Sequence, residues 1–339
     1  MFAYQIGPQQ GIASLNRADV TTPVPGAGEV LVKVKRVCLN HRDLLIVSGK
    51  YGPTRPENRI PCSDGVGEVA AVGEGVSDLA IGDRVSCGHF VTWLDGAFSQ
   101  SIFGADLGVS RDGWLAEYVR VPAAALQKIP ASISDESAAP LAAAGLTAWH
   151  AVVEFGGVKP GDIVLAPGTG GVSIFALQIA KMAGARVVVT SSSDEKLEIA
   201  RKLGADITLN YRTTPDWPGA LMAATGGHGA DIVLEMGGQA ALAQSIAAAA
   251  VNGRIAIIGA LAGPAGESIP NFPSIIGKNL LLKGIAAGSQ AMFGRFVAAV
   301  AANGLEPVID RAFPFNEAKA AYAHLHSGAH IGKVMIEVG

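Results

Sequence analysis

GDIVLAPGTGGVSIFALQIAKMAGARVVVTSSSDEK, residues 161–196, decides the fold. Ile163, Val164 and Leu165 read as a buried strand, Pro167-Gly168-Thr169-Gly170-Gly171 as a turn, and Ile174, Phe175, Leu177, Ile179 and Ala180 recur at helical spacing after it. A second apolar strand follows at residues 186–190, the separation a βαβ unit requires. Glycine lacks a Cβ, so Gly168 can make the tight turn and Gly170 can let a pyrophosphate approach the backbone. The helix start, at Gly171 and Val172, then offers unpaired N–H groups and the positive end of a dipole. Ser173 stands where the usual fingerprint has its third glycine, a place that needs a small residue for helix-to-strand packing. A glycine-rich turn in an ordinary βα unit is the plainer explanation; the strand before, helix after and second strand favour dinucleotide binding.

Outward from this unit, DIVLA, RVVVT, ADITLN, ADIVLEM and RIAIIG alternate with helical runs up to Gly259, predicting a parallel sheet covered on both faces. NLLLKGI, residues 279–285, adds a further strand. On the N-terminal side the pattern is short strands cut by glycine: EVLVKVKRV ending at Val37, GVGEVAAVG (65–73), DRVSC (83–87) and LAEYVRV (115–121). These read as a compact β domain. Residues 88–113 form an irregular segment too long for an ordinary connection, carrying Phe90, Trp93, Phe98 and Phe103. It reads as a lobe over a site or as a surface excursion held down by its aromatics. Helical patterning starts after Pro130, with Ser134 as an N-cap candidate, and the tail returns as helices at 290–303 and 316–327 and a strand at 333–338.

Composition narrows the classes. The chain has 339 residues, enough for two domains, with 49% hydrophobic and 16% charged residues, which suits an α/β enzyme. A net charge of −3 without a visible basic cluster argues against nucleic acid. No apolar run is long enough to cross a bilayer and the first residues lack a leader pattern, so a soluble protein is expected. Cys38, Cys62 and Cys87 form no CxxC pair, which points to a reducing cytoplasm.

PGAGEVLVKV, LNHRDLLIVSGKY, IPCSDGVGEVAAVGEGV, GDRV, APLAAAGLTA and GTGGVSIFALQIAKMAGARVV together resemble the medium-chain dehydrogenase/reductase superfamily over essentially the whole chain. The resemblance implies an α/β protein. A GroES-like β domain takes residues 1–126 and 287–339, a doubly wound Rossmann domain takes 127–286, and a cleft between them holds the nicotinamide. It also poses a choice between zinc alcohol dehydrogenases and zinc-free reductases resembling quinone oxidoreductase. Where the zinc enzymes have a cysteine this chain has Asn40, where they have His-Glu it has Ser63-Asp64, and where they have a second cysteine it has Ala143. The four-cysteine structural zinc lobe is absent too, so no metal is expected. A makeshift site from Cys38, His41, Cys62 and Asp64 is the disfavoured alternative.

In the quinone oxidoreductase-like branch the equivalents of Asn40, Asp43 and Tyr51 sit beside the nicotinamide. Without a metal to polarise a carbonyl, hydride can add to the β carbon of an enone or to a quinone. The resulting oxyanion needs donors, which the Asn40 amide and Tyr51 hydroxyl are expected to supply, while Asp43 orients the loop. As plainer alternatives, Asn40 caps a turn and Tyr51 anchors its loop.

NAD-binding relatives carry an acid at the end of the second Rossmann strand, whereas here Ser191 takes that position. With Ser192, Lys196 and Tyr211, it matches the positions that hold the 2′-phosphate in NADP-using relatives, so NADPH is the expected cofactor. Thr147, Gly259 and Ala260 are expected to line the nicotinamide, Thr169 to join the phosphate turn, and Lys333 to close over the cofactor from the tail. Phe90, Trp93 and Phe98 point to a small apolar or aromatic carbonyl or quinone substrate. Rival expectations are a zinc-type alcohol dehydrogenase and an NADPH-binding protein without turnover. The apolar strand 279–285 is expected at a sheet edge, joining two copies into a homodimer.

Overall fold

The computed structural model describes residues 1–259 and 270–339. Ala260, expected beside the nicotinamide, lies outside the described residues. The chain divides into two compact units, residues 1–146 with 288–339, and residues 147–287.

The second unit is built on a six-stranded parallel sheet. Its strands lie in the spatial order Ile207–Asn210, Arg186–Ser191, Ile163–Pro167, Ala230–Glu235, Ala249–Ile257, Leu281–Gly284. The chain enters at the third position, runs outward to one edge, returns and runs outward to the other. The order therefore reverses beside Ile163–Pro167, and in such sheets ligand binds at the carboxyl ends of the strands at that point. The inner strands Arg186–Ser191, Ile163–Pro167 and Ala230–Glu235 are buried almost throughout, which is why they read as continuous apolar runs rather than as alternation. Leu165, Val188, Val233 and Ile255 are fully buried, each worth about 1.5–3 kcal/mol on transfer from water. Among the described residues Leu281–Gly284 is paired on one side only, with Ala249–Ile257.

The first unit is organised by the eleven-residue strand Glu29–Leu39. Its start pairs with Tyr118–Pro122, its length with Asp64–Val72, and its end, antiparallel, with Lys333–Glu337. Arg84–Ser86 and Gln127–Lys128 extend the sheet beyond Asp64–Val72, and Ile309–Pro314 lies outside Lys333–Glu337. Two consequences bear on the site. Val334 sits opposite Leu39 and Asp64 opposite Cys38, so the ends of three strands distant in sequence meet around Asn40. Close packing fixes that junction: a Cβ at Gly65 would lie 2.5 Å from the Trp114 ring, which is completely buried.

The expected boundary at 126/127 shifts, because residues 127–146 belong to the first unit. Gln127–Lys128 adds a strand to that unit's sheet, and the Ala143 N–H donates to Asp64. The helical run expected after Pro130 is present, with an interruption. Ser134 does cap it, its Oγ accepting from Ser137 N at 3.0 Å. The first α-helical turn covers Asp135–Ala138, and beyond Pro140 the chain passes through wider π-helical turns at Leu141–Gly145 and His150–Phe155 with an α-helical turn, Leu146–Trp149, between them. Proline has no N–H to give and its ring crowds the preceding turn, which accounts for the break. Among the described residues no helix is long and apolar enough to cross a membrane.

Candidate active site

Asn40 ends the long strand and starts the short helix His41–Val47. Its backbone N–H donates to Asp43 Oδ2 at 2.8 Å while its carbonyl accepts from Asp43 N–H at 3.0 Å, a reciprocal tie that closes the turn. Its side chain is held at both ends. Asn40 Oδ1 accepts from Lys333 Nζ at 2.6 Å, and Nδ2 donates to Asp64 Oδ2 at 2.8 Å and points toward the Cys38 carbonyl at 3.5 Å. An ammonium can only donate and a carboxylate only accept, so these neighbours fix which way the amide faces. Asp64 completes the cluster, accepting from Ala143 N–H at 2.5 Å through Oδ1 and from Lys333 at 3.2 Å through Oδ2.

Lys333, expected to close over the cofactor, is instead turned into the first unit. Its Nζ donates to the Leu39 carbonyl at 2.9 Å, to Asn40 and to Asp64, which uses all three of its N–H groups, and its side chain is 3% exposed. Burial opposes its charge, but the Asp64 carboxylate more than compensates and raises its pKa. Asp43 is fully buried with Oδ1 unpartnered, and burial pushes its carboxyl up to about 6 against the pull of Arg42 and the Asn40 N–H. Cys38, pushed up to about 12 by burial, and Cys62, raised well above its ordinary value by burial, are held as neutral thiols.

Tyr51 packs against the first unit's core, with the Arg42 guanidinium 5.0 Å from its ring centroid. Arg42 in turn reaches Asp106 Oδ2 at 2.5 Å and His89 Nδ1 at 2.6 Å, and Asp106 Oδ1 lies 2.8 Å from the same His89 nitrogen. This knot ties the Tyr51 loop to both ends of the aromatic segment. Gln290 adds a second anchor: its side chain accepts from Gly88 N–H at 3.0 Å and donates to the carbonyls of Gly88 at 2.9 Å and Phe90 at 3.1 Å. Within the segment, Phe90 and Trp93 are buried, whereas Phe98 and Phe103 are each 47% exposed. Edge-to-face contacts link Trp93 to Phe98, Phe98 to Phe103 and Phe103 to Phe90. Sequence reasoning missed Arg42, His89, Asp106 and Gln290 as a group. The NHRD run contained Arg42, but nothing local pointed to its partners 47 and 64 residues away, or from Gly88 to Gln290, 202 residues on.

In the second unit, Gly168 adopts the left-handed region at φ +81°, open to glycine without strain. A Cβ at Gly170 would meet no atom of the described residues within 4 Å, so their packing does not call for glycine there at the N-terminus of the helix Gly171–Met182. Thr169 and Thr147 are buried, and Val172 is half-buried in the first turn of that helix. Ser173 Oγ donates to the Pro167 carbonyl at 2.6 Å, bracing the turn from behind in place of a third glycine. Ser191, at the end of its strand, pairs in register with Asn210, accepts through Oγ from Ser193 N–H at 3.2 Å, and accepts through its carbonyl from Tyr211 N–H at 3.1 Å. Ser193 caps the helix Asp194–Lys202 that carries half-buried Lys196; Ser192 is half-buried and Tyr211 is 44% exposed. Gly259 lies past the end of Ala249–Ile257, its N–H 3.4 Å from the Glu235 carbonyl.

Comparison with known proteins agrees with this geometry. Residues 26–131 match the family described as alcohol dehydrogenase GroES-like domain, and residues 171–302 match zinc-binding dehydrogenase. A zinc-type alcohol dehydrogenase-like protein of Schizosaccharomyces pombe is 46% identical over 92% of this chain and 91% of its own. The chain belongs to the medium-chain dehydrogenase/reductase superfamily. An NAD-dependent alcohol dehydrogenase structure superposes with a TM-score of 0.90 at 37% identity over all of both chains. A mycobacterial quinone oxidoreductase does so at 0.82 and 26%, again over all of both. This member of the superfamily is therefore an NAD(P)-dependent, alcohol dehydrogenase-like oxidoreductase.

The zinc named by the matching family does not fit the residues present. Zinc takes three or four Cys, His or carboxylate ligands. At the corresponding positions stand an amide, a serine-aspartate pair and an alanine, and a lysine ammonium lies 2.6 Å from the amide oxygen. Among the described residues no group of three or more His, Cys, Asp or Glu is arranged to hold a metal ion.

Proposed function

We propose that this chain is a zinc-independent, NADPH-dependent reductase of conjugated carbonyls or quinones. The observation that carries the reading is the Lys333 ammonium between Asn40 and Asp64, a positive charge at 2.6 Å and 3.2 Å from the atoms that a metal would have to share. Bound NADPH supplies a hydride. Gly168, Thr169, Gly170, Gly171 and Val172 hold its pyrophosphate, Ser191, Ser192, Lys196 and Tyr211 its 2′-phosphate, and Thr147 and Gly259 the nicotinamide end. The Tyr51 hydroxyl makes no hydrogen bond to a described residue, so it is available to donate to the substrate oxygen as charge develops there. Asn40, committed to Lys333 and Asp64, keeps that loop in shape, and Asp43 closes its turn. Exposed Phe98 and Phe103 offer an aromatic face to an apolar substrate.

The test is a panel of enones, quinones, aldehydes and alcohols with NADPH and NADP, together with metal analysis of protein purified without chelator. Reduction of enones or quinones by metal-free protein is expected. About one zinc per chain with activity lost on chelation would favour the second reading, an alcohol dehydrogenase of the zinc type, which the matching family supports. Tight NADPH binding without turnover of any panel member would favour a binding protein. The three free, buried cysteines suit a cytoplasmic setting. We further propose a homodimer through Leu281–Gly284. Leu281 is 54% exposed on this half-paired strand, and Phe272 and Ile276 just before it are 65% and 79% exposed. Light scattering at micromolar concentration should give twice the 34.6 kDa chain mass, and a monomer mass would exclude this assembly.

A further inference from the structure

The residues at the positions where zinc relatives carry ligands are bonded into one cluster. Asn40 Nδ2 lies 2.8 Å from Asp64 Oδ2, Ala143 N–H lies 2.5 Å from Asp64 Oδ1, and Lys333 Nζ touches both Asn40 and Asp64. The arrangement is that of a cation site: two oxygens from side chains and one from the Leu39 backbone converge on a single positive centre. That centre is supplied by the chain itself, on the first residue of the strand Lys333–Glu337, and the register of that strand against Glu29–Leu39 holds it there. An ammonium has no vacant coordination position and its three N–H groups are all used, so it cannot bind a substrate oxygen as a Lewis acid would. What it can supply is a fixed charge in a water-poor setting, which needs no reorganisation when negative charge develops nearby. It also polarises the Asn40 amide whose oxygen it binds.

We infer that Lys333 is a built-in cation that takes over the electrostatic and positioning work of the missing metal, acting through Asn40 and Asp64 rather than by touching substrate or nucleotide. The inference rests on the metal-free reading proposed above. Removing the charge should therefore slow turnover without weakening NADPH, the opposite of what a residue closing over the cofactor would do.

Lys333→Met alone would strand the Asp64 carboxylate, so the decisive variant is Lys333→Met with Asp64→Asn, which removes both charges at nearly constant volume. Wild type, this double variant and Lys333→Arg are compared by thermal unfolding, by NADPH fluorescence titration and by steady-state reduction of an enone that the wild type accepts. The expected result is a folded double variant with NADPH Kd within about twofold of wild type, kcat lowered at least tenfold, and most of kcat recovered by Lys333→Arg. A folded double variant with wild-type kcat overturns the inference, as does a loss confined to NADPH Kd, which would make Lys333 a nucleotide contact. Zinc at about one per chain in the wild type removes the metal-free reading and this inference with it. Metal-free wild type with an unaffected double variant removes only the inference.

Discussion

The two halves of the candidate machinery are built on opposite principles. At Gly168–Gly171 the second unit leaves atoms out: a Cβ at Gly170 would meet no atom of the described residues within 4 Å, and Ser191 stands where an acid would repel phosphate. At Asn40, Asp64 and Lys333 the first unit puts atoms in and joins each of them to its neighbours. A site made by omission is tolerant of the residues around it and depends on ligand for its contacts. A site made by mutual hydrogen bonding is complete without ligand, and removing one member leaves the others buried and unmatched.

That contrast predicts the largest effect. Lys333→Met should lower stability by about 3–5 kcal/mol, because the Asp64 side chain, 0% exposed beside the 3% exposed lysine, would remain as an uncompensated buried charge. Adding Asp64→Asn should restore most of the loss. Denaturant midpoints of the single and double variants measure this, and a single variant as stable as wild type would show that the cluster is not a coupled unit.

The same contrast explains what could be read in the sequence. A site made by omission leaves a local mark, since glycines at 168, 170 and 171 and a serine at 191 stand between a strand and a helix on one stretch of chain. The inner strands around it were legible too, being buried almost throughout and therefore apolar. The lysine cluster had no such mark. Asn40 is separated from Asp64 by 24 residues and from Lys333 by 293, and only the register of strands across the sheet brings them together. The missing zinc ligands were visible, but what replaced them was not. The helical run after Ser134 was legible from its cap and apolar spacing, but the interruption at Pro140 and the wider turns that follow were not, because apolar spacing does not distinguish α-helical from π-helical turns.

Gly170→Val should come next in size. An added Cβ meets no atom of the described residues within 4 Å, so the thermal midpoint should stay within a degree or two, while NADPH affinity falls about a hundredfold, roughly 2.7 kcal/mol, as the pyrophosphate loses its approach to the backbone. Loss of stability without loss of affinity would mean that the Gly170 turn is not the phosphate cradle.

Asp43 belongs to the densely bonded side of the comparison but is only half satisfied. Its folded pKa of about 6 lies above the ordinary aspartate value, so the folded state binds a proton more tightly than the unfolded chain does. Stability from this group is therefore full at low pH and declines as pH rises from about 4 through about 6. Asp43→Asn keeps an oxygen to accept from the Asn40 N–H and removes the charge. It should match wild type near pH 4 and exceed it by about 3 kcal/mol at pH 8. Urea midpoints at both pH values check the sign, and a gap that is widest at low pH would contradict the assignment.

The smallest expected effect tests whether omission also chooses the cofactor. Ser191 is 5% exposed and its Oγ accepts from Ser193 N–H, so an aspartate there could keep that hydrogen bond while directing its second oxygen toward a ribose. A carboxylate about 4 Å from a 2′-phosphate is repelled by on the order of 4 kcal/mol per charge pair at an effective dielectric of ~20, and solvent near half-buried Lys196 and exposed Tyr211 reduces this further. Wild type should bind NADPH several-fold more tightly than NADH. Ser191→Asp should weaken NADPH about tenfold, roughly 1.4 kcal/mol, and tighten NADH by giving the ribose hydroxyls an acceptor. Fluorescence titration with both nucleotides reads the two changes separately. Equal affinities in the wild type would mean that the missing acid permits the phosphate without selecting it, and a variant that loses both nucleotides alike would trace the effect to a disturbed Ser191–Ser193 turn.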